Sequence, residues 1–238
     1  MIPIRDDTPR YSTPYVTYFI IALNAVVFLF ELSLGMQSHR ALNGLIYEFG
    51  VVPYRFERAF VGPSSNTLPE LSLTILTSMF LHGGWLHIIG NMWFLWIFGD
   101  NVEDYLGHLK YLLFYLISGG AAAIAYILLD ASSNQPTIGA SGAIAGVMGA
   151  YFVLYPRARV LTLVFLIVFF TFWWLPAWVF LGYWFVLQFL SGTATSIAGA
   201  SQNTGGIAFW AHVGGFGAGI LLIKLMPERP RRYRYASW

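Results

Sequence analysis

Ser141 stands in the run Gly139-Ala140-Ser141-Gly142, and far downstream His212 stands in Ala211-His212-Val213-Gly214-Gly215. A serine hydroxyl is a poor nucleophile until a base takes its proton, so a serine and a histidine within hydrogen-bond reach form the minimum unit of acyl transfer. Upstream, His87 and Asn91 are spaced i and i+4 and therefore share one helix face. With the backbone N–H of Ser141, the Asn91 amide and the His87 ring are candidate donors to the oxyanion of a tetrahedral intermediate. The same two side chains would equally serve to cap or bridge helices. His212 is the most telling of the set, because an ionisable group in an apolar span is costly to bury and functional by default. A lone serine in a glycine-rich helix is ordinarily a packing residue. The run Gly-Ala-Ser-Gly also lacks the second spaced glycine of a nucleophile elbow, so a soluble hydrolase fold is not supported.

The elements that must position these groups are apolar. Of 238 residues, 57% are hydrophobic, 18% aromatic and 10% charged, where a soluble domain carries about 25% charged residues. Several stretches approach the roughly 20 apolar residues that cross a hydrocarbon core. Spans are expected at about Tyr15–Leu34, Trp85–Phe98, Leu109–Leu129, Ser141–Tyr155, Trp174–Leu190 and Phe209–Met226, with a folded loop from Gly35 to about Leu71. The stretch Leu71–Leu81 is read as part of that loop. Met1–Pro14 is a polar tail, and the first apolar run lacks a cleavage pattern and is read as a retained helix. The net charge of +2 leaves no nucleic-acid footprint, and the absence of cysteine excludes disulfides and thiolate chemistry.

Val160–Leu190, interrupted by Pro176, reads as one span with an interfacial or re-entrant lead-in over 160–172, or as two spans. Positive charge arbitrates. With one span, Arg5, Arg10, Lys110, Arg157, Arg159, Lys224, Arg229, Arg231, Arg232 and Arg234 share the side of the N-terminus, ten of the thirteen basic residues. The other side keeps Arg40, Arg55 and Arg58. The positive-inside rule then places both termini in the cytoplasm. The expected fold is an all-α, polytopic membrane protein: a cytoplasmic tail over 1–14, a six-helix domain over 15–226 and a basic cytoplasmic tail over 227–238.

In that topology the second, fourth and sixth spans all begin at the outer leaflet, which brings His87, Asn91, Ser141 and His212 to one level. Ser141–Tyr155 rises only about 22 Å, against a core of roughly 30 Å, so the serine is submerged. The approach Gln135–Ala140 must then border a water-filled cavity. Gly142 with Gly146, and Gly215 with Gly219, form small-xxx-small pairs that let two backbones approach.

These runs, with His82 upstream of His87 and Asn91 and with Gly99, Glu103 and Gly107 after them, resemble the signature of the rhomboid intramembrane serine proteases. The similarity covers roughly Leu71–Met226. It implies a rhomboid protease domain in which Ser141 and His212 form a catalytic dyad without aspartate, while His87, Asn91 and Ser141 stabilise the oxyanion. It also implies a substrate path between the second and fifth spans. His82, Gly139, Gly142, Gly215 and Glu103 are expected to be structural, with Glu103 anchoring a cytoplasmic turn. His39 and His108 are read as solvated or interfacial, and the Trp-rich fifth span as belt and packing. Two departures stand out. Some members carry a tyrosine four residues after the serine that stacks on the histidine, but Ala145 is there, leaving Phe209 and Trp210 as candidates to orient the ring. The Trp-Arg pair of those members falls near Leu73 and Thr74.

The expected function is hydrolysis of a peptide bond in or beside a transmembrane segment of a membrane-protein substrate, through an acyl-enzyme and with no metal or cofactor. The bilayer is the second partner, nucleic acid is not one, and the expected location is a bacterial plasma membrane with the active site opening outward. A non-enzymatic relative that binds membrane helices would ordinarily have lost Ser141 or His212. A small transporter would carry inverted repeats, and none is visible. The topology makes a direct prediction, since introduced cysteines have no native background. An impermeant thiol reagent should label Asn203→Cys in intact cells and spare Ser237→Cys; labelling of Ser237→Cys from outside would require a seventh span.

Overall fold

In lipid a backbone must satisfy its own hydrogen bonds, which is why the apolar runs fold as helices. The computed structural model describes residues 1–61, 67–166, 169–197 and 208–229. The chain opens with β1 (Ile2–Asp6) and α1 (Tyr15–Gln37), then α2 (His39–Phe49), α3 (Pro53–Val61) and α4 (Leu68–Thr77). A 3₁₀ turn at Ser78–Phe80 leads into α5 (Trp85–Leu106), followed by α6 (His108–Leu129) and α7 (Ser141–Leu154). The hairpin β2 (Arg159–Leu166) and β3 (Phe169–Pro176) precedes α8 (Ala177–Ile197) and α9 (Phe209–Leu225). Among the described residues, α1, α6 and α8 are long and apolar enough to cross a membrane. The pair formed by Leu68–Phe80 and α5 qualifies jointly but bends by 83°, while α7 and α9 are shorter apolar helices.

The sheet corrects two expectations. Residues 1–14 are not simply a tail, since β1 pairs antiparallel with β2, Ile2 opposite Leu163 and Asp6 opposite Val160. The lead-in over 160–172, expected within an all-α fold, instead holds strand at 160–166 and 169–172, paired as a hairpin with Val160 opposite Leu175 and Leu166 opposite Phe169. Val160, Thr162 and Val164 point inward, whereas Leu161 and Leu163 on the alternate face are half-buried and the end of the hairpin, including Phe165, Phe169 and Phe170, is exposed. Both faces are apolar, so the alternation that betrays a half-buried strand is erased. Beside the sheet, desolvation alone would raise the Asp7 carboxyl, but the combined hydrogen bonds and charge of Arg159, 2.8 Å away, hold it below its ordinary value. Burial pushes Asp6 up in spite of its bond from the Tyr151 hydroxyl.

The first loop is folded. Thr67 and Glu70 make a capping box at the start of α4, and Thr77 Oγ1 donates to Phe49 O at 2.7 Å. Val51 and Thr137 exchange backbone hydrogen bonds of 3.0 and 2.8 Å, tying this loop to the approach to α7. Those contacts do the anchoring in place of a Trp-Arg pair: Thr74 is buried on its own helix and Leu73 is exposed. At the other end of α5, Glu103 accepts from Val16 N (2.9 Å), Thr17 N (2.8 Å) and Thr17 Oγ1 (2.7 Å), capping α1, and from His108 Nδ1 (2.6 Å). His108 is thus paired rather than merely solvated. Arg229 closes the same end on Asp104 at 2.6 Å. Of the expected basic tail, Arg231, Arg232 and Arg234 lie outside the described residues, as do Asn203 and Ser237.

Helices α7 and α9 run parallel in direct backbone contact. A Cβ on Gly215 would strike Gly142 O, and one on Gly219 would strike Gly146 O. The residue pairs advance together along both helices, which fixes the direction. Across the seam, Gly142 faces Ala122 of α6 and Gly146 faces Ser118. Overpacking such a contact costs on the order of 1–3 kcal/mol. Gly219→Val should therefore lower the thermal midpoint of the detergent-solubilised protein, while Gly217→Val, whose Cβ would meet nothing within 4 Å, should leave it unchanged.

Candidate functional site

Ser141 is the first residue of α7, and His212 lies in the first turn of α9. Because the two helices are parallel and share glycine faces, their N-terminal ends lie side by side, and His212 Nε2 stands 2.8 Å from Ser141 Oγ. On its other nitrogen, His212 Nδ1 stands 2.7 Å from Gln188 Oε1 of α8. An amide oxygen only accepts, so Nδ1 carries the ring proton and Nε2 presents a lone pair to the hydroxyl. The arrangement makes the imidazole a proton acceptor toward Ser141.

His87 and Asn91 lie on the first two turns of α5 and line, with Gly139, Ser141 and His212, a cavity of about 620 Å³. His87 Nδ1 accepts from Gly83 N at 3.3 Å, which leaves Nε2–H as the donor. That Nε2 faces Gly139, whose φ of +120° and lack of a Cβ both matter: a Cβ would lie 2.6 Å from it. Asn91 spends one amide N–H on His82 Nε2 at 3.0 Å, and its second N–H is available to the cavity. The first N–H groups of α7 lack intrahelical acceptors, as at any helix start, and add donors beside Ser141. Gly139 N is already bonded to Ser78 O at 2.8 Å, which holds the approach loop against the 3₁₀ turn.

His82 is buried and its ring holds Asn91, while its backbone N–H donates to both carboxylate oxygens of Glu31, at 3.1 and 3.2 Å. Glu31, unassigned from the sequence, thus braces the site from α1. Asn24 donates to Ile20 O within its own helix. Glu103 is not near the site; it lies sixteen residues beyond His87 on α5, about 24 Å along the axis. The ring of His212 is not oriented by Phe209 or Trp210. Trp210 Nε1 donates to Ser196 Oγ at 3.1 Å, and it is Trp184 of α8 that lies against the imidazole, 5.7 Å between centroids and tilted by 39°. Gln188 and Trp184 went unread because the fifth span looks like an aromatic belt. The signal was present, since a single amide in an apolar span calls for a partner as His212 does.

The rhomboid domain model matches residues 70–229. The chain belongs to the rhomboid family. Similar proteins include "RHOMBOID-like protein 6, mitochondrial" of Arabidopsis thaliana, 32% identical over 61% of this chain and 52% of the relative. "Rhomboid protein 1, mitochondrial" of Saccharomyces cerevisiae is 31% identical over 68% of this chain and 45% of its own length. "Presenilin-associated rhomboid-like protein, mitochondrial" of Mus musculus is 30% identical over 77% of this chain and 46% of its own. The chain spans about half the length of the curated relatives it matches. As a rhomboid it is a membrane protein with transmembrane helices; the mitochondrial names give a bacterial inner membrane no support. The bracing of His82 yields a stability test. Glu31→Leu leaves a buried N–H without its acceptor and should cost about 1–3 kcal/mol, read as a lower thermal midpoint in detergent.

Proposed function

We propose that this rhomboid is an intramembrane serine endopeptidase that hydrolyses a peptide bond in or next to a transmembrane segment of another membrane protein. The observation that carries the reading is the 2.8 Å approach of His212 Nε2 to Ser141 Oγ at the wall of a cavity that His87 and Asn91 also line. His212 takes the hydroxyl proton as Oγ attacks the scissile carbonyl carbon. The oxyanion that forms accepts hydrogen bonds from Ser141 N–H, Asn91 Nδ2–H and His87 Nε2–H. Collapse breaks the C–N bond, His212 returns the proton to the leaving amine, and an acyl-enzyme remains on Ser141. Water, deprotonated by the same nitrogen, then releases the acid and restores the serine.

We read the bundle as six spans, α1, α5, α6, α7, α8 and α9. Parallel packing of α7 and α9 supports an odd number of crossings between them, which α8 alone supplies, and a hairpin before α8 supports 160–172 not crossing. Both termini then lie in the cytoplasm and the cavity faces the opposite side. Leu86, Gly90 and Phe94 of α5 line the cavity across from Trp184 and Gln188 of α8, which favours substrate entry between those helices.

A fluorophosphonate probe should label the wild type at Ser141 and leave Ser141→Ala unlabelled. Ser141→Ala and His212→Ala should each abolish cleavage of a membrane-embedded substrate, and the double variant should be no worse, because the two act as a unit. Wild-type turnover in either single variant sinks the dyad. Asn91→Ala should lower kcat by about 10²–10³ with less effect on KM, the mark of a group that acts in the transition state.

A further inference from the structure

We propose that Gln188 is the positioning residue of the base, holding His212 in the one neutral tautomer that can accept the Ser141 proton; this rests on the proteolytic reading above. A neutral imidazole has a single N–H, and for Nε2 to act as base that hydrogen must sit on Nδ1. Nδ1–H needs an acceptor in a place where lipid and packed side chains offer none. Gln188 Oε1 supplies it at 2.7 Å. The residue commonly found in that position is a carboxylate, but α7, α8 and α9 contain no Asp or Glu. A carboxylate there would bring a charge to membrane depth, where it is far more costly than an amide. An amide gives up the electrostatic help that a carboxylate lends to an imidazolium and keeps the directional part, the choice of tautomer and the plane of the ring.

Trp184 completes the device. It lies one turn before Gln188 at i−4, so both side chains leave the same face of α8. Trp184 covers the imidazole at 5.7 Å and also touches Phe216, 6.1 Å between centroids, one turn after His212 on α9. One helix therefore fixes the ring by its face and by its Nδ1, and the position four residues after the serine is free to be Ala145, which is fully buried.

The test uses the full chain in detergent with ¹⁵N-labelled histidine, the His212 signals being identified by their loss in His212→Asn. Nitrogen shifts should show the proton on Nδ1 in the wild type, and this preference should disappear in Gln188→Leu. In the same variant kcat should fall about tenfold, the order of one net hydrogen bond, with KM changed by less than about twofold. Gln188→Glu, which restores an acceptor, should bring kcat back to within about threefold of the wild type. Gln188→Met replaces the leucine variant if the latter does not fold. A wild-type His212 protonated on Nε2, or a Gln188→Leu protein with unchanged nitrogen shifts and kcat, overturns the proposal. Failure of the wild type to label or cleave would instead remove the proteolytic reading, and the histidine spectrum would still decide the Nδ1 assignment.

Discussion

The contact on which the site depends is between two backbones. Helices ordinarily pack with axes about 8–10 Å apart, which is set by the side chains between them. Here Gly142 and Gly146 of α7 meet Gly215 and Gly219 of α9 with carbonyl oxygens where Cβ atoms would stand. Ala122 and Ser118 of α6 close the third side of the seam. In lipid there is no hydrophobic gain from bringing helices together, so association relies on close van der Waals contact through small residues. Without that approach the short serine side chain could not reach an imidazole on a neighbouring helix. The parallel direction matters equally, because it sets the first turns of both helices at one level.

Polar groups in the bundle fall into two layers, and α5 carries both. Near its start, His87 and Asn91 face the cavity, with His82 and Glu31 bracing them from outside the helix. Near its end, Asp100, Glu103 and Asp104 collect the N-terminal segment, the start of α1, His108 and Arg229. In the second layer the carboxylates are occupied, and Glu103 alone accepts four hydrogen bonds. The first keeps donors open toward the cavity. Buried polar groups are tolerable when paired, so a layer that leaves N–H groups directed into a cavity is the one arranged to meet a ligand.

The helical runs and the approach of Ser141 to His212 were legible because they rest on features a single chain displays: apolar length, glycine spacing, and polar residues at helix starts. What was not legible depended on distant partners. Ile2–Asp6 becomes a strand only because Val160–Leu163 lies beside it, and its five residues carry no period of their own. Val160–Phe172 hid its strand because both faces are apolar. Glu103 was read from its place in the motif as the anchor of a turn, but its partners, the first N–H groups of α1 and the ring of His108, needed the fold to bring them there. Gln188 needed the fold to bring α8 against α9, since nothing in its local sequence names His212 as its partner.

The hairpin and α8 together explain how His212 comes to bond a side chain of a neighbouring helix. Ala177 N is bonded to Ala158 O at 2.7 Å and Trp178 N to Pro156 O at 3.2 Å, so the start of α8 is tied directly to the end of α7. Arg5 and Arg159 both lie over Trp174, and Trp93 donates to Pro3 O at 2.6 Å, so the sheet at that end is held to α5 as well. Gln188 lies eleven residues beyond Ala177, about 16 Å along the helix. Between the tie and the amide, Tyr183, Val186 and Leu187 are exposed on the outer face, so the hold on α8 at this level comes from the Trp184 and Gln188 side. A helix tied at its start and bonded farther along to His212 makes the geometry of Nδ1 depend on how α8 packs, because a shift of α8 away from α9 would break the 2.7 Å contact between Gln188 and His212.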